Sequence, residues 1–171
     1  MTVHSSSRVV LVATSLVLLL SVGPAPADEA GNVKVLRVVP IAEKASVPEK
    51  VRSECGLQDK VPAFLSSFAS DVELVDSELG TQGRILELHI EDVHAPGGGA
   101  FSGPKWMTVT GVLRENGREV GSFTAKRFSG GGMFGAYKGT CAIVARCAKA
   151  IGKDIAGWLR SPQDGARLGD A

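Results

Sequence analysis

The chain has no excess of charge of either sign. Its 19 Lys and Arg stand against 18 Asp and Glu across 171 residues. It therefore lacks the concentrated basic surface that general affinity for nucleic acid or an anionic membrane requires. It also lacks a long apolar run: Val9 to Leu20 falls short of the about 20 residues a comfortable membrane span needs, and Pro24 and Pro26 follow it directly. Common catalytic signatures are missing. There is no Gly-x-Ser-x-Gly elbow, no HExxH and no Cys/His ligand spacing, and Lys138 is followed by Gly139-Thr140 where a phosphate-binding loop would close with Gly-Lys-Ser/Thr. Only two histidines, His89 and His94, lie beyond the first 27 residues. A cysteine nucleophile would have to find its base at one of them.

The N-terminus explains the apolar run. A short segment carrying Arg8 leads into Val9–Leu20, and Ala25-Pro26-Ala27 supplies the small-x-small pattern of a signal-peptidase site, so residues 1–27 read as a signal peptide cleaved after Ala27. No cysteine stands at the cleavage point to take a lipid, so no stable membrane anchor is expected afterwards. Cleavage removes one basic residue and no acidic one, which leaves the two signs equal at 18. The remaining length suits one domain, expected over 28–160, with 161–171 as a polar, flexible tail.

Along the domain, Asn32 to Ile41 is β-branched and apolar and reads as a strand ending near Pro40. Ala45 to Ser53 reads as a loop or a short helical turn. Leu57, Val61, Phe64, Leu65 and Phe68 recur at three and four, which predicts a helix from about Leu57 to Ala69, starting nearer Lys60 if Pro62 must fall in its first turn. Val72 to Val75 is a short run, an edge strand or a lead into the next. Arg84 to Val93 alternates, with Leu86, Leu88 and Ile90 on one face. Trp106–Leu113 and Glu119–Phe128 flank Asn116-Gly117, the signature of a β-hairpin. Thr140 is placed to cap a second helix whose apolar stripe is Val144, Cys147, Ala148, Ile151, Ile155, Trp158 and Leu159, with Gly152 and Gly157 allowing close packing on the sheet. The expected fold is α+β: an antiparallel meander of about four strands with two helices on one face, in the order strand, helix, three strands, helix.

Cys55, Cys141 and Cys147 would all enter an oxidising compartment, where one bridge and one leftover thiol is the simplest arrangement. Cys141 and Cys147 point to different sides of a continuous helix, so Cys55 pairs with one of them. A first strand parallel to the meander would bring the two helix N-termini level. That favours Cys55 with Cys141, and Cys147 is the alternative partner.

Two clusters could carry chemistry. Glu87, His89 and Glu91 share one strand face, with Asp92 and His94 just beyond, a donor set suited to zinc or another first-row metal. The same alternation is what any solvent-facing strand presents, and no cofactor or metal is expected. The glycine-rich stretch Ser129 to Gly139 precedes a helix and could hold an anion on its amides. A second reading is a loop that presents Met133, Phe134, Tyr137 and Lys138 to a partner, an unknown envelope protein or a small ligand, and a third is that Phe134 and Tyr137 fold back on the core.

At Phe123-Thr-Ala-Lys-Arg-Phe-Ser-Gly-Gly-Gly, at Gly139-Thr-Cys, through Gly152-Lys-Asp-Ile-Ala-Gly-Trp-Leu159, and at Glu54-Cys55-Gly-Leu57, the chain resembles uncharacterised exported proteins of proteobacteria. More loosely it resembles domains of unknown function in small bacterial envelope proteins and lipoproteins. Such families bring no catalytic residues with them. The resemblance implies a periplasmic or secreted, non-enzymatic binding or accessory module. The alternative is a metal-assisted or thiol-dependent enzyme of the periplasm.

Overall fold

A computed structural model describes residues 1–2, 31–97, 102–130 and 137–171. Nearly all of the expected signal peptide lies outside these residues, as do Met133 and Phe134. The described residues form strands β1 (Val33–Leu36), β2 (Ile41–Ser46), β3 (Val72–Val75), β4 (Arg84–His94), β5 (Lys105–Glu115), β6 (Arg118–Ser129) and β7 (Ala166–Gly169), and helices α1 (Glu49–Glu54), α2 (Leu57–Phe68) and α3 (Thr140–Trp158).

The expected hairpin is present. Asn116 and Gly117 take positive φ values of 51° and 81°, the conformation a two-residue connection needs to match the twist of its strands. The Asn116 side chain also accepts the Gly83 amide at 2.9 Å. β4, β5 and β6 form an antiparallel meander in which Leu86, Leu88 and Ile90 share the inward face with Met107, Val109, Leu113, Phe123 and Ala125. A bulge at Glu91 shifts the alternation of β4 by one, so Val93 and Ala95 turn inward while Asp92 and His94 turn out.

The simple meander expected from sequence is corrected by the other four strands. The sheet has seven strands in the order β3-β1-β4-β5-β6-β7, with β2 also on β4, and every pairing of β1, β2, β3 and β7 is parallel. Parallel neighbours need a long crossover, and the helices supply it. α1 and α2 lie between β1 and β3, and α3 lies between β6 and β7. The single first strand is in fact two. β1 and β2 share one edge of β4 in succession, and Pro40, which has no amide to give, instead accepts the Ile90 amide at 3.0 Å where the chain steps between them.

Pro62 lies well inside α2, which starts at Leu57 rather than Lys60. Proline leaves the Gln58 carbonyl without its helical donor, and Val39 fills the gap with an amide at 3.0 Å. α2 and α3 pack together on one face of the sheet. Gly152 serves the contact between the helices rather than one with the sheet: a Cβ there would meet the Leu65 nitrogen at 2.9 Å. Phe68, assigned to the buried stripe from its spacing, is 40% exposed at the end of α2.

Residues 161–171 are not a frayed tail, because α3 returns the chain to the free edge of β6. There the Trp158 indole donates to the Gln163 carbonyl, and the Asp170 amide donates to the Lys126 carbonyl. Arg127 reaches Asp154 on α3 in a fork, with Nε at 2.7 Å and Nη2 at 2.8 Å from the two carboxylate oxygens, and its Nη1 lies 3.4 Å from Asp170. The hydrogen bond to Asp154 raises the Arg127 pKa, so the group stays charged. Arg127→Ala is expected to cost about 1–3 kcal/mol, since a paired carboxylate loses its fork. It should also speed amide exchange in 166–169; unchanged exchange there would show that β7 is held by its ladder alone.

A candidate functional site at the glycine-loop end of the sheet

Five parts of the chain meet at one end of the sheet: the end of β4, the start of β5, the end of β6, the start of α3, and the joint between α1 and α2. The register sets this. His94 lies opposite Trp106, Trp106 opposite Phe128, and Lys105 opposite Ser129.

On the helix side, Cys55 is bonded to Cys141, with their Cα atoms 5.0 Å apart. Cys55 follows α1 and Cys141 is the second residue of α3, so the bridge ties the joint before α2 to the start of the last helix. Such a bridge suggests an exported protein. Cys147 remains a thiol, 1% exposed, with its sulfur 3.7 Å from the Lys105 carbonyl. Burial pushes its pKa up to about 11. We expect iodoacetamide at pH 8 to leave Cys147 unmodified in the folded, oxidised protein and to modify it fully once denatured. Fast labelling of the native protein would refute the buried placement.

Beside the bridge is a cavity of about 480 Å³ whose walls include Pro48, Val51, Cys55, Pro96, Thr140 and Cys141. Thr140 does not cap α3. Gly139 holds the cap position without a side-chain bond, and the Thr140 hydroxyl donates instead to the Pro96 carbonyl at 3.2 Å. The Ser102 hydroxyl donates to that same carbonyl at 3.1 Å. Behind Ser102 lies Lys105, whose Nζ is 2.9 Å from the Ser102 oxygen and 3.4 Å from the Gly103 carbonyl. Lys105 is 0% exposed, and burial lowers its pKa. Sequence reading passed over this pair. The signals were there: Lys105 shares the inward parity of Met107 and Val109, and Ser102-x-x-Lys105 is a nucleophile-to-base spacing.

On the helix-free side, His94, Trp106 and Phe128 form an aromatic row across three strands. The His94 and Trp106 rings stack at 3.7 Å and 9°, and Phe128 is 5.6 Å from Trp106. Lys126 stands over both carbon rings, and Asp92 accepts the Trp106 indole proton at 2.7 Å. Phe128 is 48% exposed.

The metal candidates share this face but are turned to other partners. Glu87 accepts from Arg114 at 3.3 Å, Glu91 accepts from Thr110 at 2.9 Å, His94 is in the stack, and His89 is exposed opposite Thr110. Among the described residues no three His, Cys, Asp or Glu are grouped to hold a metal. Of the proposed contact loop, Tyr137 is 90% exposed and Lys138 is partly buried with a partner of its own. Among the described residues no helix is long and apolar enough to cross a membrane.

No family model matches the chain, and no curated protein matches it. Solved structures do show similarity. A PelC dodecamer from Paraburkholderia phytofirmans is 15% identical, with a TM-score of 0.43, over 75% of this chain and 91% of that one. An uncharacterised protein is 12% identical, with a TM-score of 0.39, over 76% and 97%. A minor lipoprotein from Acinetobacter baumannii is 15% identical, with a TM-score of 0.34, over 75% and 93%. These distant likenesses give no residue here a role.

Proposed function

We propose that the protein is a periplasmic or secreted binding or accessory module of the cell envelope, released by cleavage after Ala27, and that it works through its glycine-loop end. The observation that carries this reading is the aromatic and cationic surface gathered there. In a chain with only six Phe, two Trp and one Tyr, Phe128 is left in water beside Trp106 and Lys126, with His94 stacked on Trp106, and Tyr137 is exposed three residues before α3. Exposed aromatic side chains on a rigid sheet contribute most to affinity when a partner covers them. The partner is an envelope protein or a small ligand, and His89 has no part in holding it.

Photo-crosslinking tests the surface. A benzophenone amino acid placed at Phe128 or at Tyr137 is expected to give one shared adduct in cells that make the protein. The same group at Phe68, exposed elsewhere on the molecule, should give none. Equal adducts from all three positions, or none from any, would remove the proposal. His89→Ala should leave the adduct unchanged.

A further inference from the structure

We propose that Ser102 is a nucleophile with Lys105 as its base, and that it takes an acyl group from a small activated ester into the neighbouring cavity. This goes beyond the contact-surface reading and uses different residues, on the helix side of the sheet.

The argument starts from the buried amine. Lys105 is 0% exposed, and its partners among the described residues, the Ser102 hydroxyl and the Gly103 carbonyl, carry no charge. Neither flanking glycine-rich stretch, 95–104 or 129–139, contains an acidic residue. The ionisable side chains on the neighbouring cavity wall are Lys50 and Glu54 of α1. Burial strips hydration from an ammonium at Lys105 and lowers its pKa, so the neutral amine with its lone pair is reached at lower pH than in a solvated lysine. Ser102 Oγ lies 2.9 Å from that nitrogen, within proton-transfer distance. The Ser102 hydroxyl is also within donating distance of the Pro96 carbonyl, at 3.1 Å. Rotation about the Cβ–Oγ bond turns its hydrogen to Nζ without moving a heavy atom.

The surroundings supply the other requirements of acyl transfer. Ser102 is partly exposed, so a donor can reach it. The Pro96 carbonyl, which also receives Thr140, holds Ser102 beside the cavity wall and the first turn of α3. The first intrahelical bonds of α3 start at Ala142, and Gly139 offers no capping side chain. The Thr140 and Cys141 amides make no intrahelical bond, and with Thr140 and Cys141 on the cavity wall they are the donors we assign to the oxyanion.

In the step, Ser102 Oγ attacks the ester carbonyl carbon while its proton passes to Lys105 Nζ. A C–O bond forms and the carbonyl π pair moves onto oxygen. Collapse of this intermediate breaks the bond to the leaving alkoxide or phenoxide, which takes the proton back from Nζ. The products are an acylated Ser102 and a free alcohol or phenol, with no change of oxidation state.

The test uses the oxidised mature protein with p-nitrophenyl acetate, read by intact mass and peptide mapping. One acetyl group on the Ser102 peptide is expected. It should be absent in Ser102→Ala and formed about 100-fold more slowly in Lys105→Met, whose chain fills the same buried space. In the unaltered protein the acetylation rate should rise with pH through a midpoint below the usual lysine range; Lys105→Met should lack that rise, and the pH profile needs no folded variant. Acetyl groups on surface lysines only, or labelling of Ser102 at the same rate in Lys105→Met, would overturn the proposal. Ser102→Ala should keep the cross-link from position 128, so failure of this site and failure of the contact surface are read separately.

Discussion

Replacing Cys55 and Cys141 together by alanine should lower stability by about 4–5 kcal/mol. The two residues are 86 apart in sequence, and a cross-link that closes so long a loop removes much of the freedom of the unfolded chain. A domain of this kind has only about 5–15 kcal/mol to lose, so the change takes a third of it or more. The loss should fall first on the glycine-loop end, since the bridge joins the start of α3 to the α1–α2 joint and forms part of the cavity wall. Urea unfolding with and without reductant gives the measurement. The reduced natural protein and the double variant should share one midpoint, and the variant should no longer respond to reductant. A difference below 1 kcal/mol would mean that native packing, rather than the bridge, holds these ends together.

Gly152→Ala should destabilise by about 1–3 kcal/mol, against the helix propensity that favours alanine by about 1 kcal/mol. The added Cβ would lie 2.9 Å from the Leu65 nitrogen and 3.0 Å from the Phe64 carbonyl carbon. These are backbone atoms of α2 that cannot rotate aside, so the two helices must separate and loosen the contacts of Leu65 and Ile151. Gly157 in the same helix is the control. A Cβ there meets only the end of the Arg160 side chain, at 3.7 Å, so Gly157→Ala should stabilise by about 0.5–1 kcal/mol. Opposite signs for the two substitutions would confirm that α2 and α3 approach at Gly152. Equal stabilisation would place Gly152 at an open position.

Part of this architecture is legible from local pattern. The period of two in β4, the Asn-Gly turn and the stripes of α2 and α3 depend on residues close in sequence, and each appears where its residues put it. Where a pattern is short or polar, it says little. Ala166-Arg-Leu-Gly alternates over only four residues in a polar stretch, too few to separate a strand from a tail. Lys105 reads as a strand boundary because lysine is rarely buried; parity and spacing pair it with Ser102, but its full burial follows only once β5 is folded against α3. Thr140 fits the capping rule by type, yet the helix starts one residue earlier than that role needs, with Gly139 at the cap, and the Thr140 hydroxyl donates to the Pro96 carbonyl 44 residues away.

By itself the sequence determined the composition of the interior, the antiparallel meander, the two main helices and a supply of three cysteines. These follow from near-neighbour periodicity and covalent chemistry. Only the tertiary structure decided that four strands pair in parallel, that the C-terminal residues close the sheet, that Cys55 meets Cys141, and that Ser102 and Lys105 sit together beside a cavity. The strand pairings and the bridge join segments far apart in the chain, brought together by the crossovers of the helices, and leave no period to read; Ser102 and Lys105 are neighbours in sequence, but the cavity near them is walled by α1, the start of α3 and the residues just after β4.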